Sequence, residues 1–162
     1  MRFPRHLQDR FGHAYRIDFS GSRGIWVIRV WDGQFPAAYL YALHARRQRL
    51  RIQDFKVADD LVVPEPALLR LGRKLLGLSP RIVSYRRRGI ATALLAAVIA
   101  HADAEEIPRI EGDIFERDRV QFPGLPDWYH ARGFTLHRDP QGLHFHRDLA
   151  PQPAASISRR GF

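Results

Sequence analysis

The chain has 162 residues, 45% of them hydrophobic and 27% charged, which fits one soluble globular domain with a sizeable core and no apolar run of the roughly 18 residues a membrane span needs. The opening, MRFPRHLQDRFGH, is charged throughout and reads as no signal peptide, and the absence of cysteine excludes disulfides, zinc-thiolate sites and a cysteine nucleophile and fits a cytoplasmic protein. The net charge of +9 comes almost wholly from arginine, since Lys56 and Lys74 are the only lysines; it suits an anionic cofactor or a nucleic acid, or is surface charge spread along the chain.

The first dozen residues read as irregular. Phe11, Tyr15, Ile17 and Phe19 then alternate as in a half-buried strand, and residues 20–24 read as a turn. Residues 25–31 form a second strand, Asp32-Gly33 a hairpin turn, residues 37–45 a third strand and residues 50–57 a fourth. Pro66 suits the start of a helix over residues 67–76, with Leu68, Leu71, Leu75 and Leu78 as its apolar stripe and Gly77 and Pro80 as its stop. Gly89 opens a long helix from Ile90 to about Glu106, with Ile90, Leu94, Ala97, Val98 and Ala102 on one face. Residues 107–115 read as a strand. Asp127 is placed to cap a short helix over residues 128–132, which Gly133 ends. Residues 134–138 and 143–149 form a closing hairpin. Residues 1–149 are thus one domain and residues 150–162 a flexible tail. The fold class is α+β or mixed α/β, with a mostly antiparallel central sheet and a long helix behind a phosphate loop.

That loop carries the chemistry. Arg86, Arg87, Arg88, Gly89, Ile90, Ala91 and Thr92 run directly into the Ala- and Leu-rich helix. A helix N-terminus offers unpaired N–H groups and about half a positive charge. Gly89 and Ala91 let phosphate oxygens approach the backbone, the arginines add charge, and Thr92 adds a hydroxyl. The stretch is built to hold a pyrophosphate. It is no P-loop, because the GKS/GKT ending is missing, and no dinucleotide fingerprint, because G-x-G-x-x-G is absent.

A second motif follows: Trp128-Tyr129-His130-Ala131-Arg132-Gly133-Phe134. Together the two segments resemble the GNAT acetyltransferase superfamily. Arg86, Gly89 and Ala91 match its [Q/R]-x-x-G-x-[G/A] helix entry, and Trp128, Tyr129, Gly133 and Phe134 match a segment like F-Y-x-x-x-G-F. The likeness covers about residues 14–149. Three departures stand out. The family's two helices after the first strand are replaced by the short turn at residues 20–24. Residues 58–85, with their own helix, are inserted before the loop. The asparagine common after the fifth strand has no clear equivalent, Asp118 lying near its place.

The resemblance implies an acyl-CoA N-acyltransferase with acetyl-CoA as donor. Its pantetheine arm would lie against the backbone of Phe55, Lys56 and Val57. A neutral amine would attack the thioester directly, with Tyr129 as general acid toward the departing thiolate. Asp54 is the candidate base, with His44 and Glu111 as alternatives. The acceptor would be a small-molecule, peptide or RNA-linked amine, and the inserted helix a lid or wall of its site. A homodimer and nucleic-acid contact through the basic surface are compatible with this, and no membrane is involved. The second reading is a GNAT-like module with little or no catalysis that binds nucleic acid or a protein through that surface. His137, His144 and His146 share one face of the closing hairpin and read as solvated strand histidines rather than zinc ligands, so no metal is expected.

Overall fold

Alternating apolar side chains build a sheet whose two faces have different fates. The computed structural model describes residues 2–22, 24–45, 48–59, 61–62, 66–79 and 82–149; the tail, Pro80 and Asp60 lie outside them. In chain order come β1 (His6–Gln8), β2 (Ala14–Ser22), β3 (Ile25–Asp32), β4 (Phe35–Ala45) and β5 (Arg49–Val57). Then follow β6 (Leu61–Val62), α1 (Ala67–Leu75), β7 (Ile82–Val83), α2 (Ile90–Ala104), β8 (Arg109–Ile114), α3 (Glu116–Gln121), α4 (Leu125–His130), β9 (Thr135–Asp139) and β10 (Gly142–Asp148). The main sheet has the order β1-β2-β3-β4-β5-β8-β10-β9. Every neighbouring pair is antiparallel except β5 and β8, which are parallel. A parallel pair needs a long crossover, and α2 lies within it.

One sheet face carries the core. Tyr15, Ile17, Ile28, Val30, Leu40, Leu50, Ile52, Ile110 and Phe145 are buried there with Ile90, Leu94, Leu95, Val98 and Ala102 of α2. Burying a leucine such as Leu94 contributes about 1.5–3 kcal/mol. The spacing 94, 95, 98, 102 wraps one side of a helix, and its end is set by Glu106. That residue takes φ +56, and the N–H groups of Glu106 and Ile107 donate back to Asp103 and Ala102, a Schellman closure made without glycine. On the opposite face Ile25, Tyr39 and Leu43 remain exposed.

Several expectations need correction. The first dozen residues are not all irregular: β1 pairs with β2 through Leu7 and Tyr15. Phe11 stays outside the strand alternation, in a turn and 67% exposed. Strand β2 runs on to Ser22, because Ser20, Gly21 and Ser22 pair with β3. The helix before Gly133 begins at Leu125 with Pro126 in its first turn, and Gly124, not Asp127, is its N-cap. The helix α3 was not legible, since its six residues, ERDRVQ, bury no side chain. The apolar stripe of α1 is not buried against the described residues: Leu68 is 84% and Leu75 79% exposed.

Candidate active site

The parallel pair sets the site. β5 and β8 pair only through Leu50–Ile110, Arg51–Glu111 and Ile52–Gly112. Beyond Ile52 the two strands part and leave a notch. The cause is visible in β5: on its other edge Tyr41 faces Asp54 while Ala42 faces Ile52, so Gln53 is an extra, bulged residue, and a bulge bends its strand. Ile52 is buried while Gln53, Asp54 and Lys56 are exposed and Phe55 and Val57 half-buried. Phe55, Lys56 and Val57 pair with Leu40, Tyr39 and Ala38 on β4, and their other edge borders the notch. Across it, the Trp128 ring meets Phe55 edge-on at 6.2 Å.

The basic loop reaches the same region. Gly89 is the N-cap of α2 at φ +86, with no side-chain cap. The first helical bond runs from Ala93 N–H to Gly89 O at 3.0 Å. The N–H groups of Ile90, Ala91 and Thr92 therefore have no acceptor within the helix. Arg87, before them, takes φ +57. The three arginines differ. Arg86 pairs with Asp59 at 2.7 Å and lies over the Phe122 ring at 4.5 Å. Arg88 pairs with Asp9 at 2.8 Å. Arg87 is exposed and pairs with no described residue. The Thr92 hydroxyl accepts a hydrogen bond from Arg132 at 2.7 Å, which ties α2 to the end of α4. Tyr85 N–H donates to Ala58 O, and the Ser84 hydroxyl donates to Asp59. The insertion therefore leaves and rejoins the domain at one point beside the loop.

Tyr129 is buried on the core side of the notch's apex. Its ring stacks on Phe145 with centroids 4.0 Å apart, and Trp128 and Phe134 meet it edge-on. Gly112 permits this arrangement, because a Cβ there would stand 2.4 Å from the Phe145 ring and 3.0 Å from Ile52 O. Burial, with the Asp118 carboxylate adding to it, pushes the Tyr129 phenol above its ordinary range. The Tyr129 hydroxyl makes no hydrogen bond to a described residue.

The candidate bases separate. Asp54 lies on the open sheet face at the notch and accepts a hydrogen bond from the Tyr39 hydroxyl. That bond, and then burial, push the Tyr39 phenol up to about 12. Glu111 lies in the paired part of β8 and is held by Arg49 at 3.2 Å. His44 faces away from the notch, lining a cavity of about 870 Å³ with Phe3, Arg16, Trp26 and His101 near the other end of α2. His144 is not a solvated strand histidine. Its side chain is 17% exposed, with Nδ1 on Asp113 at 2.7 Å and Nε2 on Asp139 at 2.9 Å. Only the imidazolium satisfies both carboxylates, and these bonds raise its pKa. His137 stacks on it at 5.1 Å. Among the described residues no group of three or more His, Asp or Glu is arranged to hold a metal ion, and no helix is long and apolar enough to cross a membrane.

Sequence reading missed Asp9. Its side chain is fully buried and accepts four hydrogen bonds: from Phe11 N–H, His13 N–H, the Tyr15 hydroxyl and Arg88 Nε. Burial alone would raise its pKa, but these donors outweigh it and bring it down to about 2. The available signal was Asp9 three residues before Gly12, which takes φ +81: an aspartate bonding the backbone two residues on marks an Asx turn.

No protein-family model matches the sequence, and no curated protein is significantly similar to it. Solved structures are. The PaiA N-acetyltransferase of Thermoplasma acidophilum, in complex with coenzyme A, superposes with a TM-score of 0.52 at 9% identity, over 78% of this chain and 62% of that one. The ribosomal-protein-S18-alanine N-acetyltransferase of Escherichia coli gives 0.55 at 10% identity, over 83% and 76%. The cAMP-binding acyltransferase of Mycobacterium smegmatis gives 0.59 at 12% identity, over 90% of this chain and 47% of that one. The chain has the fold of the GNAT N-acetyltransferases.

Proposed function

We propose that the protein binds an acyl-coenzyme A, with acetyl-CoA as donor, and transfers the acyl group to an amine by direct attack. One observation carries this reading: the uncapped N-terminus of α2 is tied through Thr92 and Arg132 to Trp128, and Trp128 meets Phe55 at the notch opened where β5 parts from β8. The helix end is a place for a pyrophosphate. The notch is a slot with free backbone edges for an amide-bearing pantetheine arm. The free N–H groups of residues 90–92 and the Arg87 guanidinium would take the phosphates, while Arg86 and Arg88 keep the loop in shape through Asp59 and Asp9.

The chemistry follows from where charge moves. A neutral amine forms the new N–C bond at the thioester carbonyl, the C–S bond breaks, and the amine's surplus proton must leave while the sulfur gains one. Asp54 lies on the open face at the notch, oriented by Tyr39, and is suited to take the amine's proton. Tyr129 is suited to protonate the sulfur by its place beside the notch, and a phenol carries its proton at neutral pH even at its ordinary pKa. The acceptor is a small-molecule, peptide or RNA-linked amine that approaches from the uncovered face.

The test is calorimetry with acetyl-CoA, followed by an amine acceptor screen and kinetics of Tyr129→Phe. The expected result is binding by the wild type, with kcat lowered about 10²–10⁴-fold in the variant and acetyl-CoA Kd nearly unchanged. No binding by the folded wild type would end the proposal. A near-normal kcat in the variant would reduce Tyr129 to a packing residue.

A further inference from the structure

The loop that the proposed function uses for the pyrophosphate does not hold its own shape. Arg87 sits at positive φ, +57, a region a side-chain-bearing residue rarely adopts unless its surroundings impose it, while Gly89 at +86 takes it freely. The imposed contacts come from the other end of the sequence. Arg10 N–H donates to Arg88 O at 2.9 Å. Arg10 lies so close to Gly89 that a Cβ there would touch its backbone N at 3.5 Å. Asp9 holds the Arg88 side chain through Nε at 2.8 Å. On the other flank the Tyr85 hydroxyl donates to Asp32 at 3.0 Å, and Asp32 also faces His13 Nε2 at 2.9 Å. The loop is thus gripped on both sides by residues 9–15 and the tip of the β3–β4 hairpin.

We infer that Asp9 is a positioning residue for the phosphate site: it turns the Arg88 guanidinium inward, fixes the backbone of residues 87–91 with its N–H groups outward, and leaves Arg87 as the cation that meets the phosphate. Asp9 is fully buried in the N-terminal Asx turn, so it acts through Arg88 and never touches the ligand. This rests on the reading of the loop as a coenzyme A site.

The experiment measures CoA affinity by calorimetry, well below the melting temperature, for wild type, Asp9→Asn, Arg88→Met and the double variant. Asparagine keeps the size and one acceptor but drops the charge that holds Arg88. The expected result is about tenfold or weaker binding in each single variant, since a charged hydrogen bond is lost, and a double variant no weaker than the worse single one, as for two residues acting as a unit. If the losses multiply, or if folded Asp9→Asn binds CoA as tightly as wild type, the inference is overturned. Wild type that binds no CoA overturns the functional reading instead. Should Asp9→Asn not fold, amide hydrogen exchange decides. In ligand-free Arg88→Met the amides of residues 87–91 exchange faster if Arg88 braces the loop. Unchanged exchange there would mean that Arg88 contacts phosphate itself, and the inference falls.

Discussion

Two basic segments with leucines follow β5, and the molecule treats them in opposite ways. In the insertion, α1 carries Leu68, Leu71 and Leu75 beside Arg73 and Lys74, and its leucines face solvent. In the loop and the helix behind it, Arg86, Arg87 and Arg88 lead into Leu94 and Leu95, which are fully buried. Both segments are anchored at the same point, around Ala58, Asp59, Ser84 and Tyr85. The difference lies in what the rest of the chain supplies. The loop receives two counter-charges, Asp9 for Arg88 and Asp59 for Arg86, and a sheet face to cover, whereas the leucines of α1 receive no burying face among the described residues. An amphipathic pattern states a capacity to bury surface; counter-charges and a facing surface decide whether geometry becomes fixed.

Four measurements put that contrast to the test. The largest effect is expected at Gly89. Gly89→Glu adds backbone strain at φ +86 and a negative charge where phosphate would bind, so acetyl-CoA affinity is expected to drop about 100-fold or more. Unchanged affinity in the folded variant would remove the loop from the site. Next is Gly112→Ala at the apex of the notch. The added Cβ meets the Phe145 ring and Ile52 O, and overpacking of this kind costs about 1–3 kcal/mol, visible as a lower denaturation midpoint. A midpoint equal to wild type would show that Phe145 and Tyr129 can move aside.

A smaller effect concerns pH and the histidine beside the notch. His144 has its pKa raised above 6.5 by Asp113 and then Asp139. The folded state therefore holds a proton that the unfolded state releases, and the stabilisation is complete below pH 6.5 and lost as pH rises through the raised value. The melting temperature of His144→Gln, subtracted from that of wild type, should give a difference that shrinks as pH increases from 6 to 8. His101, whose pKa burial lowers, works in the opposite sense and weakens the fold as pH falls below 6.5. A pH-independent His144 difference would mean the ring is neutral. The smallest effect is expected in α1, where Gly72 has open space around a built Cβ. Gly72→Ala should stabilise the helix by about 0.5–1 kcal/mol at most and leave CoA affinity unchanged. A marked change in affinity would show that the insertion helix reaches the site after all.

Much of the molecule was legible because its signals are local. Period-2 alternation marked β2; turn signals set off the segments that became β3, β4, β5 and the closing hairpin; a run of small and branched apolar residues after Gly89 marked α2; and a glycine among arginines at that helix entry marked an anion site. These patterns arise from side-chain spacing within a few residues and survive any tertiary context. Other features depend on residues far apart in sequence. The bulge at Gln53 exists only because β4 pairs on both sides of it. The burial of Tyr129 depends on Gly112 and Phe145 meeting it from two other strands. His144 became a charged brace only when Asp113, 31 residues away, came into reach, and Arg88 became a strut only because Asp9, 79 residues away, lies beneath it. Local patterns were enough to mark which segments form strands, which helix entry is basic and uncapped, and where the arginines fall. Which arginine is left to meet an anion and which strand edges part emerged only in the folded chain, because those outcomes depend on which long-range contacts remove a group from water and which leave it open.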